Sequence, residues 1–354
     1  MTITDIRLQS FRSYSDDTFE FSPGVNIIVG ANASGKTNLL EAILVMARGS
    51  SYRAKDAELI NFEKPWARID SNTDNGITRT IKITTEPLPT KTYEIGGQTY
   101  KKISLNNTLP IVLFEPNHLL LLSGGPERRR TYLDDLIKQT TSGYASTISQ
   151  YKRSLAQRNS LLKQTHSLAS VETLLFPWNV RISQLAGQIV RHRTKLIEEI
   201  SSQLEGLYKE LSGTKTSVTI KYSGQWTADV YETSMLKKLE ANLDIDRMRG
   251  FTTTGPHRED FEVSFNDRPI TEVASRGEVR TTVLALKILE LKTIEESRQT
   301  KPLLLLDDVF SELDGKRRHI LTSHLAPYQT FITTTDADLV LQHFTETTHI
   351  IPLG

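Results

Sequence analysis

The sequence predicts an α/β protein in which a mixed sheet surrounds a phosphate-binding helix, joined to a second, mainly helical lobe. Three observations predict this fold class. A short apolar run, Val25–Val29, leads through a glycine-rich turn into an amphipathic helix that begins at Lys36. A second apolar run, Leu303–Leu306, ends in two aspartates near the other end of the chain. Between them, the stretch 117–211 has the long polar faces of helices and few clusters of β-branched residues.

The first hundred residues indicate short strands joined by turns, and one helix. Alternating or short apolar runs favour the strands. Leucines and other apolar residues on one stripe favour the helix, which Gly49 is placed to end. The predicted strands are Thr2–Leu8, Val25–Val29, Thr78–Thr84 and Lys91–Ile95, and the predicted helix is Lys36–Arg48.

After Pro116 the pattern becomes helical, and the rest of the chain returns to mixed elements. Gly124, Gly125 and Pro126 separate one helix from the next, and Pro177 is expected to break another. The later predicted elements are strands at 218–222 and 261–265, a helix from Ser275 to Glu296, and core strands at 303–306 and 331–335, the last of these closing the core. This order predicts a nucleotide-binding core lobe of residues 1–114 plus 298–354, and a helical lobe of residues 115–297 that carries the Ser275 helix.

The composition excludes several classes of protein. The 354 residues include no cysteine, which excludes disulfides, thiol catalysis and cysteine-ligated metal sites and suits a cytoplasmic protein. The strongly apolar runs are four residues long, as at Leu303–Leu306, whereas a membrane span needs about 20. Met1–Ser10 lacks the basic start and apolar stretch of a secretory signal. We therefore expect neither a membrane partner nor secretion.

Charge is unevenly distributed along the chain. The formal net charge is +1, yet residues 101–200 contain 14 Lys and Arg against 7 Asp and Glu. A basic middle on a nearly neutral chain favours local contact with a polyanion. A solvated helical face explains the same charges, so the two interpretations stay open on charge alone.

The strongest motif is a phosphate loop. Gly30-Ala31-Asn32-Ala33-Ser34-Gly35-Lys36-Thr37 matches the pattern G-x-x-x-x-G-K-[ST]. Its glycines let backbone N–H groups curl toward phosphate oxygens, and the positive end of the following helix points to the same place. Lys36 is then placed to reach the β- and γ-phosphates, and Thr37 to bind Mg²⁺. The flanking strand and helix favour nucleotide binding over a chance glycine turn, and we count Asn38 among the nucleotide contacts.

The two aspartates after Leu303–Leu306 predict the second half of the same site. An acid at the end of a core strand holds Mg²⁺ in phosphoryl-transfer sites, and Asp307 fits that role. Asp308 would then face the γ-phosphate and orient or deprotonate the attacking water, which makes Asp308 and Lys36 the predicted catalytic residues. Alone, the pair also fits a strand that ends in a polar turn. With the phosphate loop, it predicts one site built from both ends of the chain.

The segment Ser275-Arg276-Gly277-Glu278 has two compatible interpretations. Ser275 and Glu278 have the spacing of a capping box, which satisfies backbone N–H groups at a helix start. A serine hydroxyl, a glycine backbone and a helix N-terminus can also bind a phosphate, including one held by another subunit. The spacing alone does not separate them.

Taken together, these motifs resemble the ABC-type ATPase superfamily in its SMC-like branch, and specifically the RecF family, over essentially the whole chain. The resemblance rests on the phosphate loop continued through Asn38-Leu39-Leu40-Glu41-Ala42 and on blocks that occur in order. These are Phe11-Arg12-Ser13-Tyr14, Phe114-Glu115-Pro116, Arg128-Arg129-Arg130-Thr131-Tyr132-Leu133-Asp134, Thr254-Gly255-Pro256-His257-Arg258, Ser275-Arg276-Gly277-Glu278 and Asp307-Asp308-Val309-Phe310-Ser311-Glu312-Leu313-Asp314.

The resemblance implies a two-lobed ABC-type head without a long coiled coil, which uses ATP and Mg²⁺ and forms a homodimer on ATP. In that dimer Ser275 and Gly277 would contact the nucleotide of the partner, and Asp314 would match an aspartate that crosses the interface. Arg12 matches a basic position that touches nucleotide in such heads. The family binds DNA at gaps and single-strand/double-strand junctions without sequence preference, and works with RecO and RecR in recombinational repair and replication-fork maintenance.

Three positions depart from the pattern of ABC-type ATPases. Asp308 stands where most of them carry Glu, and the shorter base implies slow hydrolysis. The signature reads Ser-Arg-Gly-Glu-Val rather than ending in Gln. The segment 331–336 has no histidine where transporters of the superfamily place their switch residue. Which residue senses the γ-phosphate there, and whether Glu115 acts nearby, is left open.

Basic residues of the helical lobe are the candidates for DNA contact. Arg128, Arg129 and Arg130 follow a Gly-Gly-Pro turn and favour contact with DNA phosphates, an ion network between the lobes or a solvated helix start. Lys152 and Arg153 belong to a wider set that would bind backbone phosphates without reading sequence. That set also contains Arg158, Lys163, Arg181, Arg191, Arg193 and Lys195. His257 and Arg258 fit either a satisfied turn or a nucleotide or DNA contact.

Two functions of other classes remain beside a DNA-binding ATPase. One is a nucleotide-gated ABC-type ATPase subunit of another assembly, such as a membrane transporter. The other is a scaffold in which nucleotide binding alone matters. A DNA mobility assay distinguishes a DNA-binding ATPase from the first alternative. A hydrolysis assay with and without DNA distinguishes an enzyme from the second.

Overall fold

The computed structural model describes residues 1–164, 168–342 and 348–354. The chain divides into two compact units, Met1–Leu119 with Lys287–Gly354, and Leu120–Leu286. The sequence placed these breaks at 114/115 and 297/298. The second break falls inside a continuous helix, Arg276–Arg298, so no change of composition marks it. In the described part of the chain, no helix has the length and apolar character needed to cross a membrane.

The elements are numbered in chain order. The strands are β1 (Ile3–Phe11), β2 (Tyr14–Glu20), β3 (Val25–Gly30), β4 (Trp66–Thr73), β5 (Thr78–Thr84), β6 (Thr90–Ile95), β7 (Gln98–Tyr100), β8 (Ile111–Phe114), β9 (Val218–Ser223), β10 (Asp260–Phe265), β11 (Arg268–Pro269), β12 (Leu303–Asp307), β13 (Thr330–Thr334) and β14 (Thr348–Leu353). The helices are α1 (Lys36–Arg48), α2 (Pro126–Thr140), α3 (Tyr144–Leu162), α4 (Leu168–Ser212), α5 (Tyr231–Ala241), α6 (Leu243–Arg249), α7 (Ile270–Val273), α8 (Arg276–Arg298), α9 (Val309–Glu312), α10 (Gly315–Leu325) and α11 (Ala337–Leu341).

The first unit holds two sheets and the helix α1. One sheet is antiparallel with strand order β2-β1-β4-β5-β6-β7, and the other is parallel with order β14-β3-β13-β12-β8. Apolar residues of α1 and of both sheets form one core cluster, in which Leu39, Ile43, Ile69 and Leu305 are buried. The predicted α/β class is confirmed, with the strands shared between two sheets rather than one mixed sheet.

The last core strand is β14, not the predicted strand at 331–335. β14 pairs in parallel with β3, with Ile350 opposite Ile27 and Ile351 opposite Ile28. Burial alternates along this strand: Ile351 is buried and Ile350 is exposed. Because two isoleucines are its whole apolar run, the sequence pattern was too weak to predict it.

The second unit contains the long helical stretch that the sequence predicted, together with a small sheet of order β11-β10-β9. The prediction that Pro177 breaks a helix was wrong, because Pro177 lies inside α4. A proline within a helix removes one backbone hydrogen bond. Pro177 is exposed, whereas the apolar stripe of α4 continues through buried Leu175 and Ile182. Burial of that stripe therefore keeps the helix continuous past the proline.

Candidate nucleotide site

The phosphate loop joins the end of β3 to the start of α1, and its two glycines have distinct structural reasons. A Cβ on Gly30 would lie 2.7 Å from the carbonyl oxygen of Leu353, so no side chain fits there. Gly35 has a φ of 101°, a left-handed conformation that side chains disfavour. The hydroxyl of Tyr14 donates to the carbonyl of Gly35 at 3.1 Å. The loop is therefore held in shape by the chain around it.

Lys36 and Ser34 are two polar residues of the phosphate loop, which also contains Asn32 and Thr37. The Lys36 side chain is almost fully buried, and its Nζ donates to the carbonyl oxygens of Gly30 and Ala31, each at 2.8 Å. The Ser34 hydroxyl is buried without a hydrogen-bond partner in the structure. A buried hydroxyl without a partner is unfavourable unless a ligand satisfies it. The loop thus contains a cation held by backbone carbonyls and a buried hydroxyl without a partner.

Thr37 and Asp307 meet although 270 positions separate them in the chain. The Thr37 Oγ1 donates to Asp307 Oδ1 at 3.1 Å. Parallel pairing brings them together, since β3 and β12 both flank β13 and their carboxyl ends share one edge of the sheet. Ligand sites of open parallel sheets lie at that edge. The phosphate loop and the acid at the end of β12, which the sequence predicted as two halves of one site, are therefore adjacent in the structure.

Asp308 follows β12 in a left-handed backbone conformation, with φ of 52° and ψ of 18°. Burial raises the pKa of its carboxyl, the charge of Asp307 adds to that rise, and Lys36 opposes it. The same two causes raise the pKa of Glu115, which lies at the end of β8. The charge of Asp307 therefore acts on both carboxyl groups.

Arg12 is held by a buried acid of α1. Glu41 is fully buried, and its carboxylate accepts from Nε and Nη2 of Arg12 at 2.9 and 3.0 Å. It also accepts from Ser51 at 2.6 Å and from Arg53 at 3.0 Å. Burial disfavours the charged form of Glu41, but these hydrogen bonds outweigh burial and lower its pKa. Arg12 thus lies beside the phosphate-loop helix as part of a charged network.

Arg53 and Glu41 are site residues to which the sequence analysis gave no role. Arg53 donates to Asn38 Oδ1 at 3.0 Å as well as to Glu41, and Asn38 donates to the hydroxyl of Ser13 at 3.0 Å. The sequence offered one signal: Glu41 is a charged residue between the apolar residues Leu40 and Ala42 of a mostly apolar helix. A charge buried in such a helix needs partners. The position of those partners was not readable from the pattern.

These residues fit a magnesium-bound nucleotide. Hydroxyl and carboxylate oxygens are the donors that Mg²⁺ prefers, and Thr37 and Asp307 would hold it. The N–H groups at the start of α1, with Lys36 and Ser34, suit phosphate oxygens. Bound Mg²⁺ would neutralise charge on the phosphates during their transfer.

In the second unit, Ser275 and Glu278 form the predicted capping box at the start of α8. Ser275 donates its N–H and its hydroxyl to Glu278 Oε2, each at 2.8 Å, and the N–H of Glu278 donates back at 3.3 Å. Ser275 is exposed and Gly277 is partly exposed. Ser275 and Glu278 of the same chain therefore form the capping box, and Ser275 remains exposed to a second molecule.

Asp314 caps α10 in the first unit. Its Oδ1 accepts from the backbone N–H of Arg317 at 2.9 Å, and its other oxygen pairs with the Arg317 guanidinium. The carboxylate is 54% exposed. Its position at an exposed helix start is compatible with the interface role that the resemblance implies.

The predicted DNA-binding residues have different surroundings in the second unit. Arg129 donates to Asp260 at 2.6 to 3.0 Å and to the carbonyl of Gly124 at 2.7 Å, and Arg130 donates to the carbonyl of Glu259 at 2.9 Å. Both are partly buried, and these partners lie within the second unit, so they form an ion network inside that unit and not the predicted one between lobes. Exposed positions are held by Arg128, Lys152 and Arg153.

Two arginines of the wider basic set are not on the surface at all. Arg158 is fully buried and pairs with Asp246 at 2.7 Å, and Arg193 is buried and pairs with Asp134 at 2.9 Å. Breaking a buried pair of this kind costs about 3–5 kcal/mol. Their spacing was the missed signal, because Arg158 continues the stripe of buried residues on α3: Tyr144, Ile148, Tyr151 and Ser154. Both arginines stabilise the unit and are withdrawn as DNA contacts.

His257 is satisfied within its turn. Its Nδ1 accepts from the Tyr151 hydroxyl at 2.7 Å, and its Nε2 donates to the carbonyl of Thr252 at 3.1 Å. Burial lowers its pKa to about 4, so the ring is neutral at ordinary pH. The neighbouring Arg258 is exposed, with its guanidinium 4.9 Å from the centre of the Phe251 ring. The turn interpretation therefore describes His257.

Comparison with known proteins identifies the family. Residues 2–351 match the RecF/RecN/SMC N terminal domain. The DNA replication and repair protein RecF of Acetivibrio thermocellus is 34% identical over 351 residues, covering 96% of this chain and 94% of that protein. This chain belongs to the RecF family. RecF of an Exiguobacterium species is 35% identical and covers 96% of this chain and 93% of its own.

Solved structures agree with the RecF assignment. The structure of the recombination mediator protein RecF with ATPrS, from the RecFOR pathway, has a TM-score of 0.88 and 30% identity, and covers 99% of this chain and 95% of that one. An Smc head bound to the winged-helix domain of ScpA has a TM-score of 0.54 and 16% identity, and covers 96% of this chain and 92% of that one. The latter likeness shows the fold alone, which is that of the ATPase heads of the SMC group.

Proposed function

We propose that this RecF-family chain is an ATP-dependent DNA-binding protein of recombinational repair and replication-fork maintenance, which hydrolyses ATP slowly. The observation that carries the proposal is the 3.1 Å contact between Thr37 and Asp307, because it joins the phosphate loop to the acid expected to hold Mg²⁺. Support comes from the relatives named as DNA replication and repair proteins and from the RecF structure with a nucleotide. RecO and RecR are the proposed partners, by resemblance.

The proposed chemistry is in-line attack of water on the γ-phosphate of ATP, which breaks the bond between the γ-phosphorus and the oxygen of the ADP leaving group and yields ADP and phosphate. Lys36 and the N–H groups of the loop stabilise charge on the phosphates as it develops. Asp308 orients the attacking water and accepts its proton. An aspartate reaches less far than a glutamate from the same backbone position, so we expect slow turnover. Opening after hydrolysis would then release DNA.

ATP is proposed to close two copies of the chain into a homodimer. Ser275 and Gly277 stand at the exposed start of α8, where a hydroxyl and helix N–H groups suit the γ-phosphate held by the other copy. Exposed Asp314 is the second element proposed to meet the partner. Each nucleotide would then be enclosed by one copy's phosphate loop and the other copy's α8.

Ser275→Arg should block this dimer while leaving ATP binding intact, because a bulky cation replaces the small hydroxyl at the start of α8. We expect the dimer that ATP induces in the wild-type chain to be lost, as measured by light scattering, with unchanged binding of a fluorescent ATP analogue. Glu272→Arg, an exposed site just before the cap, is the matched control. A normal ATP-induced dimer of Ser275→Arg would contradict the arrangement in which two chains share each nucleotide.

DNA contact is proposed through exposed basic residues of the helical lobe, with Lys152 and Arg153 of α3 as the test. Reversing both charges should weaken binding to a gapped duplex about tenfold or more, and should lower the slope of log affinity against log salt by about two. Fluorescence anisotropy at several salt concentrations measures both quantities. Gapped, fully duplex and single-stranded DNA are compared, since we expect the gapped form to bind best.

Lys237→Glu with Lys238→Glu is the control for this double reversal, because it changes the same charge on exposed positions of α5. Equal loss in both double variants would mean that net charge alone governs binding. A wild-type chain that binds no DNA but turns over ATP would favour the second candidate, an ABC-type ATPase subunit of a non-DNA assembly.

A further inference from the structure

Thr333 is a buried polar residue to which the proposed chemistry assigns no part. It lies on β13, which pairs in parallel with β12 so that Thr333 stands beside Asp307. The residue is fully buried. Its hydroxyl donates to Asp307 Oδ1 at 2.8 Å and accepts from the backbone N–H of Asp308 at 2.9 Å. One hydroxyl therefore contacts both aspartates of the candidate site.

The neighbouring threonines of β13 make ordinary bonds, which sets Thr333 apart. The Thr330 hydroxyl donates to the carbonyl of Tyr328 at 3.2 Å, and the Thr334 hydroxyl donates to the carbonyl of Asp336 at 3.0 Å. Neither bond involves an acid of the site. A buried threonine on this strand can thus be satisfied by a backbone carbonyl. The Thr333 hydroxyl also lies 3.4 Å from the carbonyl oxygen of Leu306, but its shorter contacts are those with Asp307 Oδ1 and the N–H of Asp308.

Two consequences follow for the acids. Asp307 Oδ1 receives Thr37 and Thr333 together, so its carboxylate is fixed in direction. Asp308 adopts a left-handed backbone with φ of 52°, which a non-glycine residue holds only when its surroundings stabilise it. The bond from its N–H to Thr333 stabilises that conformation.

We propose that Thr333 is a positioning residue for hydrolysis: its hydroxyl aims Asp307 at Thr37 and holds the backbone from which Asp308 projects. This proposal rests on the proposed ATPase function. In this proposal the segment 331–336, which has no switch histidine, contributes to hydrolysis through Thr333. Thr333 acts on the two aspartates and not on the nucleotide.

Thr333→Val tests the proposal, since valine keeps the shape and removes the hydroxyl. The change leaves Asp307 short of one donor and the N–H of Asp308 without a partner. Loss of such supporting hydrogen bonds typically costs about 10- to 100-fold in metal affinity or activity. We expect the Mg²⁺ concentration for half-maximal turnover to rise by that factor and kcat to fall. Binding of a fluorescent ATP analogue in EDTA should not change, and Thr333→Ser should restore wild-type behaviour.

Thr330→Val is the matched control, because it removes a buried hydroxyl from the same strand away from the acids. Equal Mg²⁺ dependence of Thr333→Val and wild type, or equal defects in Thr330→Val and Thr333→Val, would overturn the proposal. Thermal unfolding is followed for every variant, and Thr333→Ala replaces Thr333→Val if the latter does not fold. A wild-type chain without Lys36-dependent turnover would instead refute the ATPase function itself.

Discussion

Lys36→Ala is expected to abolish ATP turnover. The Lys36 ammonium is nearly fully buried among loop carbonyls, and a cation at that place stabilises the charge of the β- and γ-phosphates. Removing one preorganised group of this kind lowers kcat by about 10²–10³-fold, and weaker ATP binding would add to the loss. Phosphate release measures turnover, and titration with a fluorescent ATP analogue measures binding.

Lys64→Ala is the control for that loss, because Lys64 is exposed in a turn before β4 and belongs to the same unit. It should leave binding and turnover unchanged. Circular dichroism establishes that both variants fold. Hydrolysis by Lys36→Ala at the wild-type rate would remove the phosphate loop from the mechanism.

Asp308→Asn is expected to trap the chain in its ATP-bound, dimeric state. The amide keeps the size of the side chain but accepts no proton from the attacking water, and general-base catalysis contributes about 10²–10⁴-fold. ATP should therefore bind normally and persist unhydrolysed. Sedimentation with ATP should show more dimer than for the wild type, and phosphate release should fall by that factor.

Glu312→Gln is the matched control, since Glu312 is an exposed acid at the end of the same short helix, α9, that Asp308 precedes. It should dimerise and turn over ATP as the wild type does. Rapid turnover by Asp308→Asn would exclude Asp308 as the base.

Local patterns predicted the centre of the site well. The helix Lys36–Arg48 has the predicted bounds, and Gly49 ends it in a left-handed conformation with its N–H donating to Val45. The convergence of Thr37 and Asp307 followed from motif logic rather than from local pattern. Helix bounds and loop positions of this kind can be predicted because the conformational freedom of glycine and the apolar stripe of a helix act locally, whatever the surrounding fold.

Features set by distant neighbours were not predictable. The partners of buried Glu41 come from two separate turns, and the burial of Arg158 depends on Asp246, far along the chain. Residue type alone marks an arginine as a surface candidate. Its partner becomes visible once the helices are packed, and for the same reason Thr333 gave no signal within its run of threonines.

The contacts of Lys36 with Gly30 and Ala31 have a consequence for how affinity is read. Those two carbonyls accept two of the three N–H bonds of the ammonium, so an arriving triphosphate competes with them for the same group. The affinity for a triphosphate therefore includes the cost of any of these backbone contacts that is lost when the phosphates bind.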